Sequence, residues 1–471
     1  MNQQQSNTTT SLSDPEPQTQ GVKALLGDPK KAILKLSIPM IIAMSANTIY
    51  NLVDAIWVSG LGSDALAAIG FVFPFFFMIM ALATGLGIGG GSAISRRIGS
   101  GDKKGADDIA SNILVIMLII ATILTIILLA SVDKILLCLG CQGVLDMAVD
   151  YARIIFGGTV IIFFVHTAYA ILRAEGDAKR TMYTMILGAA LNIILDPIFI
   201  YTFDLGVAGA AWATLLSITI SSLILVYWLF VKKDTYVSFT FRHFHFDKHV
   251  LKDIFQVGLP SSIQQLSMSF TMIILNFIIV NVSNSDGVAV YTTGWRVATI
   301  AILPLLGIST AVVSVTGAAY GTRSFEKLKT SFMYAVKIGF IIEIFVGLGT
   351  FFLAPLITAV FTTAEGAMSI ADDLEMFLRI IWLFYPGAAF GIFSSSLFQG
   401  TGKGINALLA TVLRSLVLTT VLAVVFSYVL NFGLSGIWWS LVLANLLGSV
   451  ISYIWAQVHL NKLKTTFNVN N

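Results

Sequence analysis

Four oxygen-bearing side chains stand inside strongly apolar sequence: Asp54 in YNLVDAIWV, Asn192 and Asp196 in AALNIILDPIF, and Thr214 in AGAAWAT. Asn192 and Asp196 are four residues apart, so on a helix they share one face, one turn from each other. Pro197 follows the second carboxylate, removes a backbone donor and predicts a kink there. The chain then turns at Asp204–Gly206 and re-enters, bringing Thr214 back along the next helix. Ionisable groups in apolar spans are expensive and face a cavity or a partner. Carboxylate, amide and hydroxyl oxygens are hard ligands suited to a small hard cation. Two adjacent carboxylates need a metal ion or a proton shared between them. The four residues therefore read as one site for Na⁺ or a proton; the plainer alternative is that Asn and Asp only cap kinked helices.

The elements that must position them are membrane helices. Of 471 residues, 56% are hydrophobic and 11% charged, and mean hydropathy is +0.87; soluble domains carry roughly 25% charged residues. Apolar runs long enough to cross a bilayer fall at 33–58, 67–93, 108–131, 146–172, 181–202, 207–231, 251–281, 288–317, 328–358, 374–398, 404–429 and 433–459. The expected fold is an all-α membrane protein of twelve transmembrane helices in two parallel-repeat six-helix bundles around a central cavity. Its divisions are a disordered cytoplasmic tail at 1–27, lobes at 28–232 and 251–460, a cytoplasmic inter-lobe loop at 233–250 and a second tail at 461–471. The first tail is polar and Pro-containing and lacks the apolar core of a cleavable signal peptide. Two cysteines form no disulfide framework.

Lys and Arg collect in alternate connections, notably 96–107, 232–249 and 322–327, whereas the other side carries Asp64, Asp204, Asp286, Glu365, Asp372 and Asp373 with Lys134 nearly alone in positive charge. The positive-inside rule puts the basic loops and both termini in the cytoplasm, with the chain multi-pass in the plasma (inner) membrane. Counted from the outer ends at 1.5 Å per residue, Asp54, Asp196 and Thr214 lie roughly 6, 9 and 10 Å deep. The sequence also repeats. Pro39, Ser63–Asp64, Gly85 and Gly99 recur as Pro260, Ser285–Asp286, Gly307 and Gly321, at offsets of 221 to 222. Gly176, Gly206, Gly209 and Trp212 recur as Gly402, Gly433, Gly436 and Trp439, at 226 to 227. Six spans per half makes the repeats parallel, a transporter layout. Asp54 maps onto Asn276 and Asp196 onto Ala423, so ion coupling is expected in the first half only.

Other polar residues in the spans are weaker signals. Asn47 and Tyr50 lie on the Asp54 face and are candidates for a substrate cavity, as are His166, Tyr169, Gln264 and Gln265; core packing and helix–helix hydrogen bonding are the competing readings. Glu343, midway along the ninth span, is expected to pair with Arg414 rather than serve as a second protonation site. Arg296 and Lys337 snorkel from near the helix ends. Gly85-Leu86-Gly87-Ile88-Gly89-Gly90 matches a dinucleotide fingerprint but follows a membrane helix, not a strand; close helix packing explains it. Cys138 and Cys141 have metal-like spacing without a partner pair, and His243, His245 and His249 read as part of a basic loop. No set of residues resembles a hydrolytic triad or a zinc-protease helix, so an enzyme is not expected.

Several stretches, in order, resemble the MATE (multidrug and toxic compound extrusion) family: SIPM with NLVDAIWVSGLG, RRIGSGDKKGA, LRAEGDAKRTM, LNIILDPIFI, LGVAGAAWAT, then GLP, LFQGTGK and GLSGIWWS. The resemblance runs from about residue 28 to 460. It implies export of cationic or amphipathic organic compounds by a functional monomer, driven by inward Na⁺ or H⁺, with no cofactor and no nucleic-acid partner. It is nearest to the DNA-damage-inducible-type branch, whose first-lobe cation site matches Asp54, Asn192, Asp196 and Thr214. The norfloxacin-exporter branch adds a Glu soon after GLP, where this chain reads SSIQQLSMSF. A lipid-linked oligosaccharide flippase is the alternative with the same two-bundle layout.

Overall fold

The computed structural model describes residues 19–239, 246–362 and 365–469, and these are helical with short connections. Before the membrane spans comes α1 (Gln20–Leu26), capped by Thr19. The first lobe holds α2 (Pro29–Ser59), α3 (Ser63–Gly99), α4 (Lys103–Cys138), α5 (Leu145–Gly157), α6 (Thr159–Ala174), α7 (Ala178–Pro197) and α8 (Gly206–Val226). The second holds α9 (Lys248–Ala301), α10 (Leu303–Gly321), α11 (Phe325–Phe361), α12 (Ala371–Ile381), α13 (Tyr385–Gly400), α14 (Gly404–Val412), α15 (Thr419–Val424) and α16 (Gly433–Val469). Among the described residues eleven helices are long and apolar enough to cross a membrane, and α5 with α6, bent by 46° at their junction, makes a twelfth if the pair is one span.

The starts follow from capping. Asp28 accepts from the Lys31 amide at 2.9 Å with Pro29 in the first turn of α2, and Asp102, Asp177 and Ser324 cap α4, α7 and α11 in the same manner. The two halves repeat in backbone detail. Asp204 and Gly206 take left-handed φ values of 52° and 52°, and Asn431 and Gly433, 227 residues on, take 54° and 60°. After α7 the chain makes one π-helical turn, Ile198–Thr202, and the second half has the same turn at Val425–Val429.

Three boundaries differ from expectation. Gln20–Leu26 is an ordered helix rather than tail, because Val22 and Leu25 find buried seats. At the other end α16 continues through the expected tail to Val469, with Leu463 and Phe467 buried. The expected loop between the seventh and eighth spans is helical within α9, and Gly287 backs onto the Ile279 side chain, so this helix is sharply bent there. Residues 1–18, 240–245 (with His243 and His245) and 470–471 lie outside the described residues.

The lobes meet at the face carrying the basic connections. There α3 runs along α9 and α10 so closely that a methyl group on Gly89 would collide with Gly258, and one on Gly99 with Ala318. Arg97 bridges the lobes to Asp253 at 3.1 Å while also holding Asp102 at 2.9 Å. Arg96 donates to Ser92 at 2.6 Å, and the Ser92 hydroxyl donates to the Gln399 carbonyl. α1 spans this seam. Its Gly21 backbone lies flat against Gly176 of the first lobe, and Lys327 of the second donates to the Leu26 carbonyl at 2.6 Å.

Candidate functional site

Packing of α2 on α7, and of α7 on α8, brings the four oxygen-bearing residues together. Asn192 Nδ2 donates to Thr214 Oγ1 at 3.1 Å, bridging α7 and α8. Asp54, half-buried on α2, lies within electrostatic reach of Asp196. Asp196 is 0% exposed, Asn192 2% and Thr214 8%. Asn192 Oδ1 and both carboxylate oxygens of Asp196 are buried without a well-formed hydrogen bond among the described residues, although Asp54 and Asn192 both lie close enough to interact with Asp196. An unpartnered buried amide oxygen costs roughly 1–3 kcal/mol and an isolated buried carboxylate far more. A bound positive charge would offset that cost, and the donor set suits Na⁺ or a shared proton. Groups of three or more His, Cys, Asp or Glu side chains that could hold a metal are absent among the described residues. Any metal ion here would rely on amide and hydroxyl oxygens alongside the two carboxylates.

Two tyrosines complete the cluster. Tyr50 of α2 interacts with Asp54, Asp196 and Thr214, which places it in the ion cluster rather than a separate cavity wall. Tyr151 of α5 also reaches both carboxylates. Sequence reasoning missed it, since a tyrosine in LDMAVDYARII carries no signal beyond ordinary core packing.

The remaining candidates scatter. His166 shares a hydrogen bond with Thr84 at 3.2 Å and meets the Tyr169 ring edge-on at 6.4 Å, so these two form an internal contact of the first lobe. Asn47 is exposed on α2. Gln264 accepts from Gln399 at 3.2 Å, and Gln399 also donates to Ser261 at 3.3 Å; this is helix–helix bonding between α9 and α13. Gln265 is half-buried beside it. Glu343 is not paired with Arg414. Its carboxyl is 0% exposed with both oxygens unpartnered, near Tyr385, whereas Arg414 packs against Gly391 and Gly448. Cys138 and Cys141 are free thiols, the first exposed and the second buried.

A profile of the MatE family matches residues 39–198 and again 260–425, one match per half. The chain is 28% identical over 422 residues to a multidrug export protein, MepA, of Staphylococcus aureus strain bovine RF122 / ET3-1, covering 88% of this chain and 90% of the relative. The corresponding protein of Staphylococcus saprophyticus is 29% identical over 427 residues, with the same coverage. Among solved structures, a MOP superfamily transporter from Pyrococcus furiosus is 47% identical, with a TM-score of 0.93 over 95% of this chain and 100% of the other. An outward-facing multidrug resistance transporter of the MATE family superposes with the same TM-score, identity and coverage.

Proposed function

Because the chain belongs to the MatE family and is a multi-pass membrane transporter, not an enzyme, we propose that it exports cationic or amphipathic organic compounds in exchange for Na⁺ or H⁺ bound at Asp54, Asn192, Asp196 and Thr214. The observation that carries this reading is the set of three buried oxygens without a well-formed hydrogen bond on Asn192 and Asp196 beside Asp54. The relatives named as multidrug export proteins support the substrate class and do not favour the flippase alternative. The basic face is cytoplasmic by the positive-inside rule. The seam of α3 with α9 and α10 then lies on the cytoplasmic side, a closed inner side that fits the outward-facing state in which a related transporter was solved.

In this state the cation reaches the carboxylates from outside. Its binding draws α2 toward α7, removes the electrostatic cost of the paired carboxylates, and reshapes the first-lobe cavity so that substrate leaves. Release of the cation to the cytoplasm resets the pair. Binding of cation and substrate is thus mutually exclusive, and the coupling is reciprocal. The test is efflux of a fluorescent organic cation from proteoliposomes with Na⁺ and pH gradients imposed separately. Wild-type protein should respond to at least one gradient and Asp54→Asn to neither; full gradient-driven efflux by Asp54→Asn would overturn the assignment.

A further inference from the structure

The repeated π turn holds a tyrosine in each half, Tyr201 and Tyr428, at the same position. Both turns are closed by matching backbone bonds, Phe203 to Ile198 and Leu430 to Val425, each at 2.9 Å. Val424 stands where the first half has Pro197, so proline does not cause the turn; the inserted residue belongs to the fold. Such insertions re-aim side chains and gather at functional sites.

The surroundings of the two tyrosines differ. The Tyr201 hydroxyl donates to the Trp57 carbonyl at 2.6 Å, and its ring meets the Trp57 indole edge-on at 6.2 Å. Gly60 makes the room, since a methyl group there would collide with that hydroxyl. In the second half the positions equivalent to Trp57 and Gly60 are Ile279 and Val282, offset by 222. Among the described residues Tyr428 makes no hydrogen bond to its α9 neighbour, although the two tyrosines are about equally exposed, 44% for Tyr201 and 46% for Tyr428. Trp57 lies three residues beyond Asp54, and Tyr201 five beyond Asp196. The bond therefore ties the two carboxylate-bearing segments together immediately above the carboxylates. Around it Val58, Ile200 and Ala210 are buried with Leu61, Ile69 and Tyr151 packed on them, an apolar cover between the pair and the far face.

We infer that Tyr201 is a positioning residue for the carboxylate pair: its hydroxyl clamps the end of α2 onto the π turn after α7, and so sets how closely Asp54 and Asp196 approach a shared cation. The inference rests on the proposed coupling role of that pair. Opening the clamp lets the end of α2 swing away, which separates the carboxylates and exposes them to the far face.

The experiment measures exchange in proteoliposomes as a function of Na⁺ concentration and of pH. Tyr201→Phe should shift the half-maximal cation concentration roughly three- to tenfold, the range one hydrogen bond supplies, with the half-maximal drug concentration unchanged. Gly60→Ala should shift it in the same direction, because the added methyl evicts the same hydroxyl. The double variant should be no worse than either single change, and Tyr428→Phe should match wild type. A wild-type cation dependence in Tyr201→Phe, multiplying effects in the double variant, or an equal shift in Tyr428→Phe would each overturn the inference. Should Tyr201→Phe not fold, Gly60→Ala carries the same test. Asp54→Asn is measured alongside. If it exchanges normally, the coupling site itself is wrong and the clamp falls with it; if it stops exchange while Tyr201→Phe is unaffected, only the clamp is lost.

Discussion

The two lobes share a backbone and differ in what the backbone carries. Their connecting turns agree residue by residue, from Asp204 and Gly206 against Asn431 and Gly433 to the paired π turns. Yet the first lobe holds Asp54 and Asp196 where the second holds Asn276 and Ala423. The second lobe's own deep acid, Glu343, sits on a different helix beside Tyr385 rather than facing another carboxylate. The two copies thus share a scaffold, and a few substitutions leave the carboxylate pair in one of them. The lesson is that in a repeat protein the asymmetries, not the matches, mark the working side chains.

The largest expected effect comes from erasing the asymmetry. Asp54→Asn or Asp196→Asn should reduce ion-driven exchange by about tenfold or more, corresponding to at least about 1.4 kcal/mol of lost coupling, as read by gradient-driven dye efflux. Moving the acids across, with Asn276→Asp and Ala423→Asp added to the Asp54→Asn/Asp196→Asn protein, should not restore exchange. The second lobe has Thr419 in place of Asn192, its hydroxyl donated to the Arg414 carbonyl, Leu441 in place of Thr214 and Val282 in place of Gly60. Recovery of exchange would show that lobe identity lies in the carboxylates alone.

A smaller effect is expected from the helix that spans both lobes. Removing residues 1–26 deletes α1 with its buried Val22 and Leu25 but leaves the carboxylate pair untouched, so exchange should fall less than in the Asp variants. Spin-label distances across the cytoplasmic seam should then shift toward a separated state. Unchanged distances would mean that α1 rests on the lobes without holding them. Glu343→Gln should leave the cation dependence of exchange within about twofold, a change worth under half a kcal/mol, and a larger shift would give the second lobe a coupling role of its own.

The smallest effect concerns Glu175, which ends α6 at the face carrying the basic connections and accepts from the Tyr236 and Val237 amides at 2.7 and 3.2 Å. Burial pushes its carboxyl up to about 8 from an ordinary 4.5, the two amide bonds and Arg180 offsetting only part. An acid whose folded value is raised stabilises the folded protein fully below its unfolded value and loses that contribution as pH climbs through the folded one. Docking of residues 236–237 should therefore weaken between about pH 4.5 and 8, seen as a falling melting temperature. Glu175→Gln should flatten that slope, and an unaltered slope would remove Glu175 from the account.

Much of this was legible before any coordinates. Polar atoms in apolar runs are conspicuous, so Asp54, Asn192, Asp196 and Thr214 stood out, and the helix period with the re-entrant turn placed them at one level. Glu343 and Arg414 looked like natural partners because each is a lone deep charge, but the fold sets Glu343 near Tyr385 and Arg414 against Gly391 and Gly448. Tyr151 and Tyr201 were invisible because tyrosines are common at helix ends in membranes. A single inserted residue in the π turn decides where Tyr201 points. α1 was missed because QGVKALL is seven residues long, too short for a periodic pattern to rise above its polar flank.

The seam between the lobes has a last implication. Where Gly89 meets Gly258 and Gly99 meets Ala318, main chain slides against main chain with hardly a protruding group to interlock. Surfaces of this kind hold few side-chain knobs that must leave sockets when they part. What keeps the gate shut is then confined to a handful of separable fasteners, Arg97 with Asp253 and Lys327 with Leu26 among them. A machine so arranged can be retuned for speed by altering its fasteners, leaving the bearing itself untouched.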